Sequence, residues 1–256
     1  MSKIGLQLFS VWKDAEKDFF GTIQKVADLG YEGIQFAGFY NTPANKVKQL
    51  LDEKEILVAG AHVGIHQLLD DELEDTFEYH RTIENKLIIC PAIPKEMRQT
   101  ADDYKKTAET LNKIGEACKK AGFIFGYHNH DFEFKKFGNK TGLELLFDNT
   151  EPDLVKMELD CYWASFAEHD PIKIIRKYKN RVVSLHIKDM KIVNGRKTGT
   201  EVGRGLFDFA SLINDAREFG VEWYTVEQEE FEGDQYESLA INVDNLKHLL
   251  AEASMK

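Results

Sequence analysis

The chain has 256 residues, of which 43% are hydrophobic and 30% are charged, and its formal net charge is −11. This length supports a large core and suits a closed α/β barrel, so we predict one domain spanning residues 1–256. The acidic charge, with no stretch rich in lysine or arginine to offset it, argues against a nucleic-acid partner. No apolar run approaches the roughly 20 residues needed to span a bilayer, and the start of the chain lacks a signal-peptide pattern, so we expect a cytoplasmic protein without a membrane partner.

Eight short apolar runs alternate along the chain with segments of helical spacing. The runs begin 24 to 41 residues apart, which is about the length of one strand-plus-helix unit. In chain order they are Ile4–Phe9, Gly33–Phe36, Leu57–His62, Leu87–Cys90, Phe123–His128, Val155–Asp160, Val182–His186 and Trp223–Glu227. Such alternation predicts the α/β class with a parallel sheet, and eight units predict a single (β/α)8 TIM barrel. An open doubly wound sheet is the alternative, but no G-x-G-x-x-G follows the first run.

Capping residues and helix-ending glycines bound most of the helical segments. Thr42-Pro43 predicts a cap with proline at the first helical position, and Thr100 predicts the start of a helix that ends at Gly122. The segment Met190–Gly205 is too polar and glycine-rich for a helix, so we predict an extended active-site loop after the seventh strand. Four histidines away from the strand ends are predicted to be ordinary surface residues: His66, His80, His169 and His248.

Ionisable side chains gather where the fifth to eighth apolar runs end. In a barrel of this kind the active site lies at the carboxyl ends of the strands, and the side chains along each strand alternate between two faces. One inward-facing position per strand gives a candidate metal site made of His128, Asp160, His186 and Glu227. Two imidazoles and two carboxylates with open coordination positions suit one divalent ion of manganese, zinc, cobalt or iron better than calcium, without ranking the four metals.

Other side chains near these strand ends are candidates for the same pocket. His130 and Glu133 continue the exit of the fifth strand, and Trp163, three residues after Asp160, is placed to cover the apolar face of a sugar. Glu158 lies one layer below Asp160, where a charge is costly unless it is paired. We therefore expect Glu158 to support the ligands, to contact a substrate or to form a structural ion pair.

With these motifs in place, the chain resembles the xylose isomerase-like barrel superfamily, within the group called sugar phosphate isomerases/epimerases. The resemblance covers essentially the whole chain and rests on Gly5-Leu-Gln-Leu-Phe-Ser, Tyr127-His-Asn-His-Asp-Phe-Glu-Phe, Glu158-Leu-Asp with Trp163, Leu185-His-Ile-Lys-Asp, Val202-Gly-Arg-Gly and Val226-Glu-Gln. It implies a small-molecule sugar substrate and one divalent metal held by Glu, Asp, His and Glu at the ends of strands five to eight. Similar proteins often pack into dimers through exposed barrel loops, which makes a homodimer one candidate, but the sequence does not determine the oligomeric state.

The chain departs from the related ketose epimerases at two positions. His128 stands where those enzymes carry the first glutamate, and this His-Asn-His variety is similar to inosose dehydratase and to enzymes of 3-keto sugars. Arg204 stands where relatives often carry an acidic residue, and it is expected either to contact an anionic substrate or to face solvent. The superfamily also includes three-zinc DNA-repair endonucleases, but Trp163 occupies the position of one of their histidines.

The first functional hypothesis is a metal-dependent isomerase or epimerase that acts on a ketose or keto-sugar derivative through an enediolate. In this hypothesis Glu227 is the base, His130 or Glu133 is the second acid/base, Lys188 stabilises the enolate oxygen and His62 bonds a substrate hydroxyl. A second hypothesis expels a leaving group from the same enolate, as a dehydratase or a 3-keto-glycoside lyase does. A third is a catalytically silent sugar-binding barrel. The sequence does not name the metal or the substrate, or say whether the substrate is phosphorylated.

Overall fold

The computed structural model describes residues 2–69 and 72–254 of the chain. Within these residues, eight parallel strands close into a barrel, in the spatial order β1-β12-β9-β8-β5-β4-β3-β2. The barrel strands are β1 (Lys3–Gln7), β2 (Gly33–Phe36), β3 (Leu57–His62), β4 (Leu87–Cys90), β5 (Ile124–His128), β8 (Lys156–Asp160), β9 (Val182–Ile187) and β12 (Trp223–Val226). Two hairpins outside the barrel pair β6 (Lys136–Phe137) with β7 (Lys140–Thr141) and β10 (Asp189–Val193) with β11 (Arg196–Thr200). The predicted (β/α)8 barrel is therefore confirmed, and each predicted run coincides with one barrel strand to within two residues at either end.

Helices surround the barrel and join its successive strands. They are α1 (Trp12–Lys17), α2 (Phe19–Asp28), α3 (Ala44–Glu53), α4 (Leu73–Thr82), α5 (Ala101–Lys120), α6 (Gly142–Asp148), α7 (Cys161–Phe166), α8 (Pro171–Lys177), α9 (Phe209–Glu218) and α10 (Gln235–Ser254). The predicted start of α5 is correct, because the Thr100 side chain and Asp103 form a reciprocal capping box. Among the described residues, no helix is both long and apolar enough to cross a membrane.

Two local predictions from the sequence need correction. The segment Met190–Gly205 forms most of the β10–β11 hairpin rather than a loop, because Asn194 and Gly195, with φ of 51° and 77°, make the tight turn that such a hairpin requires. Pro43 is the residue that caps α3, and the helix begins one residue later, at Ala44. The acidic segment Asp70–Glu78, predicted from the sequence to be the solvated first turns of a helix, overlaps the start of α4. Its residues 70 and 71 lie outside the described residues.

The third correction concerns His80, which is 2% exposed rather than a surface residue. Its Nδ1 lies 3.1 Å from the Asn85 amide nitrogen, and its ring packs 5.6 Å from the ring of Phe39. Burial lowers the pKa of His80 to about 4, because the charged imidazolium is poorly solvated there. His80 is therefore a neutral part of the core between α4 and the barrel.

The barrel interior becomes polar towards the carboxyl ends of its strands. The register between β2 and β3 shifts after Ile34, and the register between β8 and β9 shifts after Met157. Such bulges change which of the later residues on a strand face inward. Beyond the second shift Asp160 pairs with His186, so the carboxyl ends of β8 and β9 bring an acid and an imidazole together.

Candidate active site

A fully buried carboxylate, Glu158, lies at the centre of the polar layer. Its Oε1 is 2.7 Å from Nε2 of His62, 3.2 Å from Nδ1 of His128 and 3.0 Å from Nε2 of His186. Its Oε2 accepts a hydrogen bond from the Gln35 amide at 2.5 Å. Burial alone would raise the pKa of Glu158, but the charge and hydrogen bonds of the histidines hold it well below its usual range. Glu158 is therefore a buried anion whose two oxygens are paired with side chains from four barrel strands, β2, β3, β5 and β9.

The four predicted metal ligands come together directly above Glu158. His128, Asp160, His186 and Glu227 each offer one ligand atom, and these atoms all lie within 4.8 Å of one another. Nδ1 of His186 is 2.8 Å from Glu227 and 3.9 Å from Asp160. Three of the four are at or next to the last residue of β5, β8 and β9, and Glu227 follows β12, so neighbouring strands deliver them at one level. The structure thus brings together all four residues that the sequence selected.

This group fits a divalent metal ion by its chemistry and by the way its imidazoles are oriented. Glu158 holds Nδ1 of His128 and Nε2 of His186, which leaves the other nitrogen of each ring for a ligand. Metal-binding histidines are commonly oriented by a carboxylate in this way. Burial lowers the pKa of His128 to about 3, which keeps the ring in the neutral form that binds metals. A second set of close ligand atoms, made of His62, His128, Glu158 and His186, is less suitable because its carboxylate is enclosed by the three rings.

Electrostatic coupling links the ligands to one another. Burial would lower the pKa of His186, but Glu158 and Glu227 raise it well above its usual range. Burial likewise opposes ionisation of Glu227, yet the charge and hydrogen bond of His186 lower its pKa to about 2. Burial and the nearby Glu227 raise the pKa of Asp160 to about 7. In the metal-free protein His186 thus carries the positive charge that holds these carboxylates together.

Asp160 also begins a helix, and Asn129 fixes its position. Oδ1 of Asp160 accepts from the Trp163 backbone N–H at 2.6 Å, which caps α7. The Asn129 side chain bonds the backbone N–H of Asp160 at 3.0 Å and its carbonyl at 3.3 Å. The middle residue of His-Asn-His therefore holds β8 in place, a role that the sequence analysis did not identify.

A cavity of about 330 Å³ opens above these ligands. Its lining includes four of the predicted residues, His62, His128, His130 and Glu227. Nδ1 of His130 is buried and has no hydrogen-bond partner among the described residues. Burial lowers the pKa of His130 to about 4, and the ring stacks on Phe132 with 9° between the planes. His130 is thus a neutral, rigidly held imidazole with a free nitrogen beside the ligands.

Two of the predicted substrate or acid/base residues that do not line this cavity are fully buried carboxylates. Glu158 is enclosed by its histidines, as described above, so it supports the ligands and does not reach a substrate. Glu133 is also 0% exposed, and it accepts hydrogen bonds from the Tyr127 hydroxyl and, at 2.8 Å, from the His130 backbone N–H. Burial raises its pKa to about 7. Its contacts make Glu133 a residue that positions His130.

Lys188 and Trp163 lie at the edge of the site. The Lys188 ammonium donates a hydrogen bond to Glu229 and sits 3.9 Å from the centroid of the Tyr162 ring. Burial would lower its pKa, but Glu229 raises it, so the side chain stays charged. The Trp163 ring centroid is 5.3 Å from the Lys188 ammonium and 5.9 Å from the His130 ring. Trp163 therefore packs beside His130 and Lys188, behind the residues that line the cavity.

Arg204 lies away from the cavity, in accord with the solvent-facing alternative. Its side chain is 55% exposed and its guanidinium is 3.8 Å from Glu201. The glycines on either side of it allow the Asp189 carboxylate to accept from the N–H groups of Gly203 and Gly205 at 3.0 and 2.8 Å. A Cβ at residue 205 would lie 2.2 Å from an oxygen of Asp189. The glycine motif is thus explained by this close approach, and Arg204 need not touch a substrate.

Two buried glutamines inside the barrel, Gln7 and Gln35, also belong to the site, although they were not predicted from the sequence. The Gln7 amide donates to Oε1 of Gln35 at 2.6 Å, and the same oxygen lies 2.7 Å from Nε2 of His186. Both glutamines are 0% exposed. A polar residue within an otherwise apolar strand, as in Ile4–Gln7 and Gly33–Phe36, was the signal that could have identified them.

The fold and the site define a closed α/β barrel whose strand ends carry a compact set of potential metal ligands. The chain belongs to the xylose isomerase-like TIM barrel family, whose model matches residues 23–250. It is 27% identical over 253 residues to an inosose dehydratase of Clostridium tetani, covering 84% of each protein. Several other curated relatives carry the same name, among them one from Lacticaseibacillus casei that is 23% identical over 252 residues, covering 84% of this chain and 83% of that protein.

Solved structures resemble the chain over nearly its whole length. A sugar phosphate isomerase/epimerase from Parabacteroides distasonis superposes with a TM-score of 0.80 at 26% identity, covering 99% of this chain and 96% of that one. An L-ribulose 3-epimerase superposes with a TM-score of 0.75 at 17% identity, covering 100% and 96%, which shows a shared fold. The relatives thus carry the names of two kinds of enzyme, a dehydratase and an epimerase.

Proposed function

We propose that this protein is a divalent-metal-dependent dehydratase of a polyhydroxylated cyclic ketone, a keto-sugar or an inosose. The observation that carries the proposal is the position of His130, a neutral imidazole that lines the cavity above the four ligands and whose buried Nδ1 has no hydrogen-bond partner among the described residues. The other ionisable residues in that lining pair with a charged partner: His62 and His128 with Glu158, Glu227 with His186, and Glu229 with Lys188. Elimination of water needs a single group that can take up a proton and release it, and His130 is such a group.

The ligand residues would be His128, Asp160, His186 and Glu227. A bound divalent ion would polarise the substrate carbonyl and so acidify the neighbouring C–H bond. His130 would accept that proton on its imidazole ring and deliver it to the hydroxyl that leaves from the β-carbon, so that a C–H and a C–O bond break, a C=C bond forms and water departs. The charged Lys188 would favour negative charge developing on the substrate oxygen. Trp163 would cover the apolar face of the ring.

The curated relatives named inosose dehydratase support the dehydratase over the isomerase or epimerase, which was the first hypothesis from the sequence. His128 is a further support, because it stands where the related ketose epimerases carry their first glutamate. An epimerase mechanism that uses two carboxylates as acid and base would therefore lack one of them here. Glu158, on strand β8, does not replace that carboxylate, because its side chain is paired with His62, His128 and His186.

Isomerisation or epimerisation is the second candidate, and one observation favours it. Glu227 and His130 line the same cavity, so two groups able to carry a proton face one substrate volume. The similarity to the sugar phosphate isomerase/epimerase agrees with this alternative.

The deciding experiment incubates the metal-loaded protein with inososes and keto-sugars in D₂O and analyses the products by mass spectrometry. Loss of 18 mass units supports the dehydratase, whereas a new stereoisomer that has gained deuterium supports the epimerase. His130→Gln should lower kcat at least about 100-fold with bound metal unchanged, and Glu230→Gln, which alters an exposed residue after strand β12, should retain full activity. A product formed equally well by His130→Gln would overturn the role given to His130, and the absence of both reaction and exchange would favour a binding barrel.

A further inference from the structure

A second cavity, of about 500 Å³, lies beside the catalytic cavity. The two cavities share Gly38, His62 and Gln67 in their linings. His62 belongs to the polar layer through Glu158, so the junction between the cavities lies next to the catalytic groups. A molecule that reacts in the first cavity can therefore extend into the second one.

The second cavity has one aromatic side. The rings of Phe39 and Tyr79 lie 4.2 Å apart, and the His80 ring packs 5.6 Å from that of Phe39. All three residues line the cavity. Aromatic faces of this kind cover the apolar C–H faces of sugar rings.

The rest of the lining offers hydrogen-bonding groups and negative charge. Asn41 and Thr76 supply an amide and a hydroxyl, and Glu72 and Asp75 supply carboxylates. No lysine or arginine is among the residues that line this cavity in the described part of the chain. Carboxylates accept hydrogen bonds from sugar hydroxyls but repel phosphate, so the lining suits an uncharged, hydroxyl-rich ring.

The loop that forms one wall is held in an uncommon conformation. Tyr40 and Asn41 both have positive φ, 49° and 57°, a backbone conformation that residues other than glycine rarely adopt. Two hydrogen bonds fix the loop: the Tyr79 hydroxyl donates to the Thr42 carbonyl at 2.7 Å, and the Tyr40 hydroxyl donates to the Trp12 carbonyl at 3.4 Å. The wall is thus fixed to α4 on one side and to α1 on the other.

We propose that this cavity is a subsite for a second, uncharged sugar ring, so that the natural substrate is a two-ring keto-glycoside rather than a single ring. The inference rests on the proposed function for the ring that reacts, and it adds the ring that is only bound. Phe39 and Tyr79 stack on the second ring, and Asp75, Asn41 and Thr76 bond its hydroxyl groups. A phosphorylated substituent is disfavoured at this position.

Binding to the purified protein tests the subsite without requiring turnover. Calorimetry would compare glucose and methyl β-glucoside with cellobiose, maltose, trehalose and phenyl β-glucoside. We expect at least one disaccharide to bind about tenfold or more tightly than glucose or the methyl glucoside. Thr76→Trp, which fills the cavity from α4, should abolish that ratio.

Two matched variants control this test. Thr82→Trp makes the same change on α4 at a position outside the cavity, where the hydroxyl also bonds a backbone carbonyl, and it should retain the ratio. If Thr76→Trp does not fold, Asp75→Ala should still reduce disaccharide affinity at least threefold, whereas Glu78→Ala, on the same helix but outside the lining, should not.

Two results would overturn the inference: no disaccharide binding more tightly than the single-ring ligands, or a ratio unchanged by Thr76→Trp and by Asp75→Ala. Phenyl β-glucoside binding as tightly as the best disaccharide would also overturn it, because the hydroxyl groups of the second ring would then contribute nothing. Failure of the proposed function would show separately, as an absence of bound metal, product and proton exchange.

Discussion

Glu158 shows how one buried charge organises the site. It contacts three imidazoles and an amide, and two of those imidazoles, His128 and His186, are candidate metal ligands. An unpaired charge at this depth would be strongly destabilising, but each oxygen here has donors. Its effect on function is indirect, because it sets which nitrogen of each ligand ring is available.

Glu158→Gln should weaken metal binding by about 10–100-fold, because a neutral amide does not orient both imidazole rings as the carboxylate does. The metal dissociation constant, measured by competition with a chelator, checks this prediction. Glu151→Gln, at an exposed position, should bind metal as the wild type does. An unchanged affinity in a folded Glu158→Gln protein would show that the ligands need no carboxylate beneath them.

His80 gives a pH dependence that originates outside the metal site. Its folded-state pKa is lowered by burial to about 4 from a usual value of 6.5, so between these values the unfolded state binds more protons than the folded state. The contribution of neutral His80 to the free energy of unfolding is therefore fully present above about pH 6.5, and it is lost as the pH falls towards 4. The loss attributable to this residue should be roughly 1–3 kcal/mol.

Urea unfolding at pH 7, 5.5 and 4.5 checks this sign. His80→Gln should lower the stability at pH 7 but show a smaller further loss at pH 4.5 than the wild type. His248→Gln, at an exposed position on α10, should follow the wild-type curve. Parallel curves for His80→Gln and the wild type would contradict the assignment.

The outer helices set the positions of the strands that carry the site. Helix α5 packs so closely on the segment before β8 that a Cβ at Gly115 would lie 2.3 Å from the Leu154 carbonyl oxygen. This contact brings β8, and with it Glu158 and Asp160, against β5. A glycine that would be a weak point in an exposed helix is required here by the packing.

Gly115→Ala should therefore destabilise the protein by roughly 1–3 kcal/mol, although the same change at an unhindered helix position stabilises by about 0.5–1 kcal/mol. Thermal and urea unfolding measure the difference. Lys113→Ala, at an exposed position on the same helix, should change the stability by less than about 0.5 kcal/mol. Increased stability in Gly115→Ala would mean that the backbone near Leu154 yields without cost.

At the scale of the whole molecule, the four candidate ligands come from β5, β8, β9 and the residue after β12, which are neighbours in the barrel. A metal that binds them would connect half of the barrel circumference. Ligands that bind only the folded state stabilise it by mass action. Metal binding should therefore be visible in the stability of the entire fold.

Manganese or zinc added to the chelator-treated protein at about 100 times its dissociation constant should stabilise it by about 2.7 kcal/mol. For a chain of this length that corresponds to a rise in Tm of about 5–10 °C. Asp160→Ala and His186→Ala should abolish the rise, while Asp102→Ala, at an exposed position on α5, should keep it. A wild-type Tm that does not respond to any of the candidate metals would remove the metal-dependent mechanism.

The sequence by itself determined the barrel, its eight strands and the four residues that meet above Glu158. These features follow from local physics: apolar periodicity defines strands and helices, and parallel strands place their carboxyl ends at one edge. The β10–β11 hairpin, which follows β9, was also encoded locally, in Asn194-Gly195, although the composition of the segment favoured a loop.

Only the tertiary structure decided which ionisable groups face the cavity and which are held beneath it. Glu133 and His130 are three residues apart, yet Glu133 is enclosed and bonded by Tyr127 while His130 lines the cavity. Gln7 and Gln35 joined the site because strands distant in sequence converge inside the barrel. The second cavity depends in the same way on α4 meeting the loop after β2, a contact between residues 37 positions apart in the chain. Such choices depend on burial and on long-range contacts, and neither property belongs to a residue or to its neighbours in sequence.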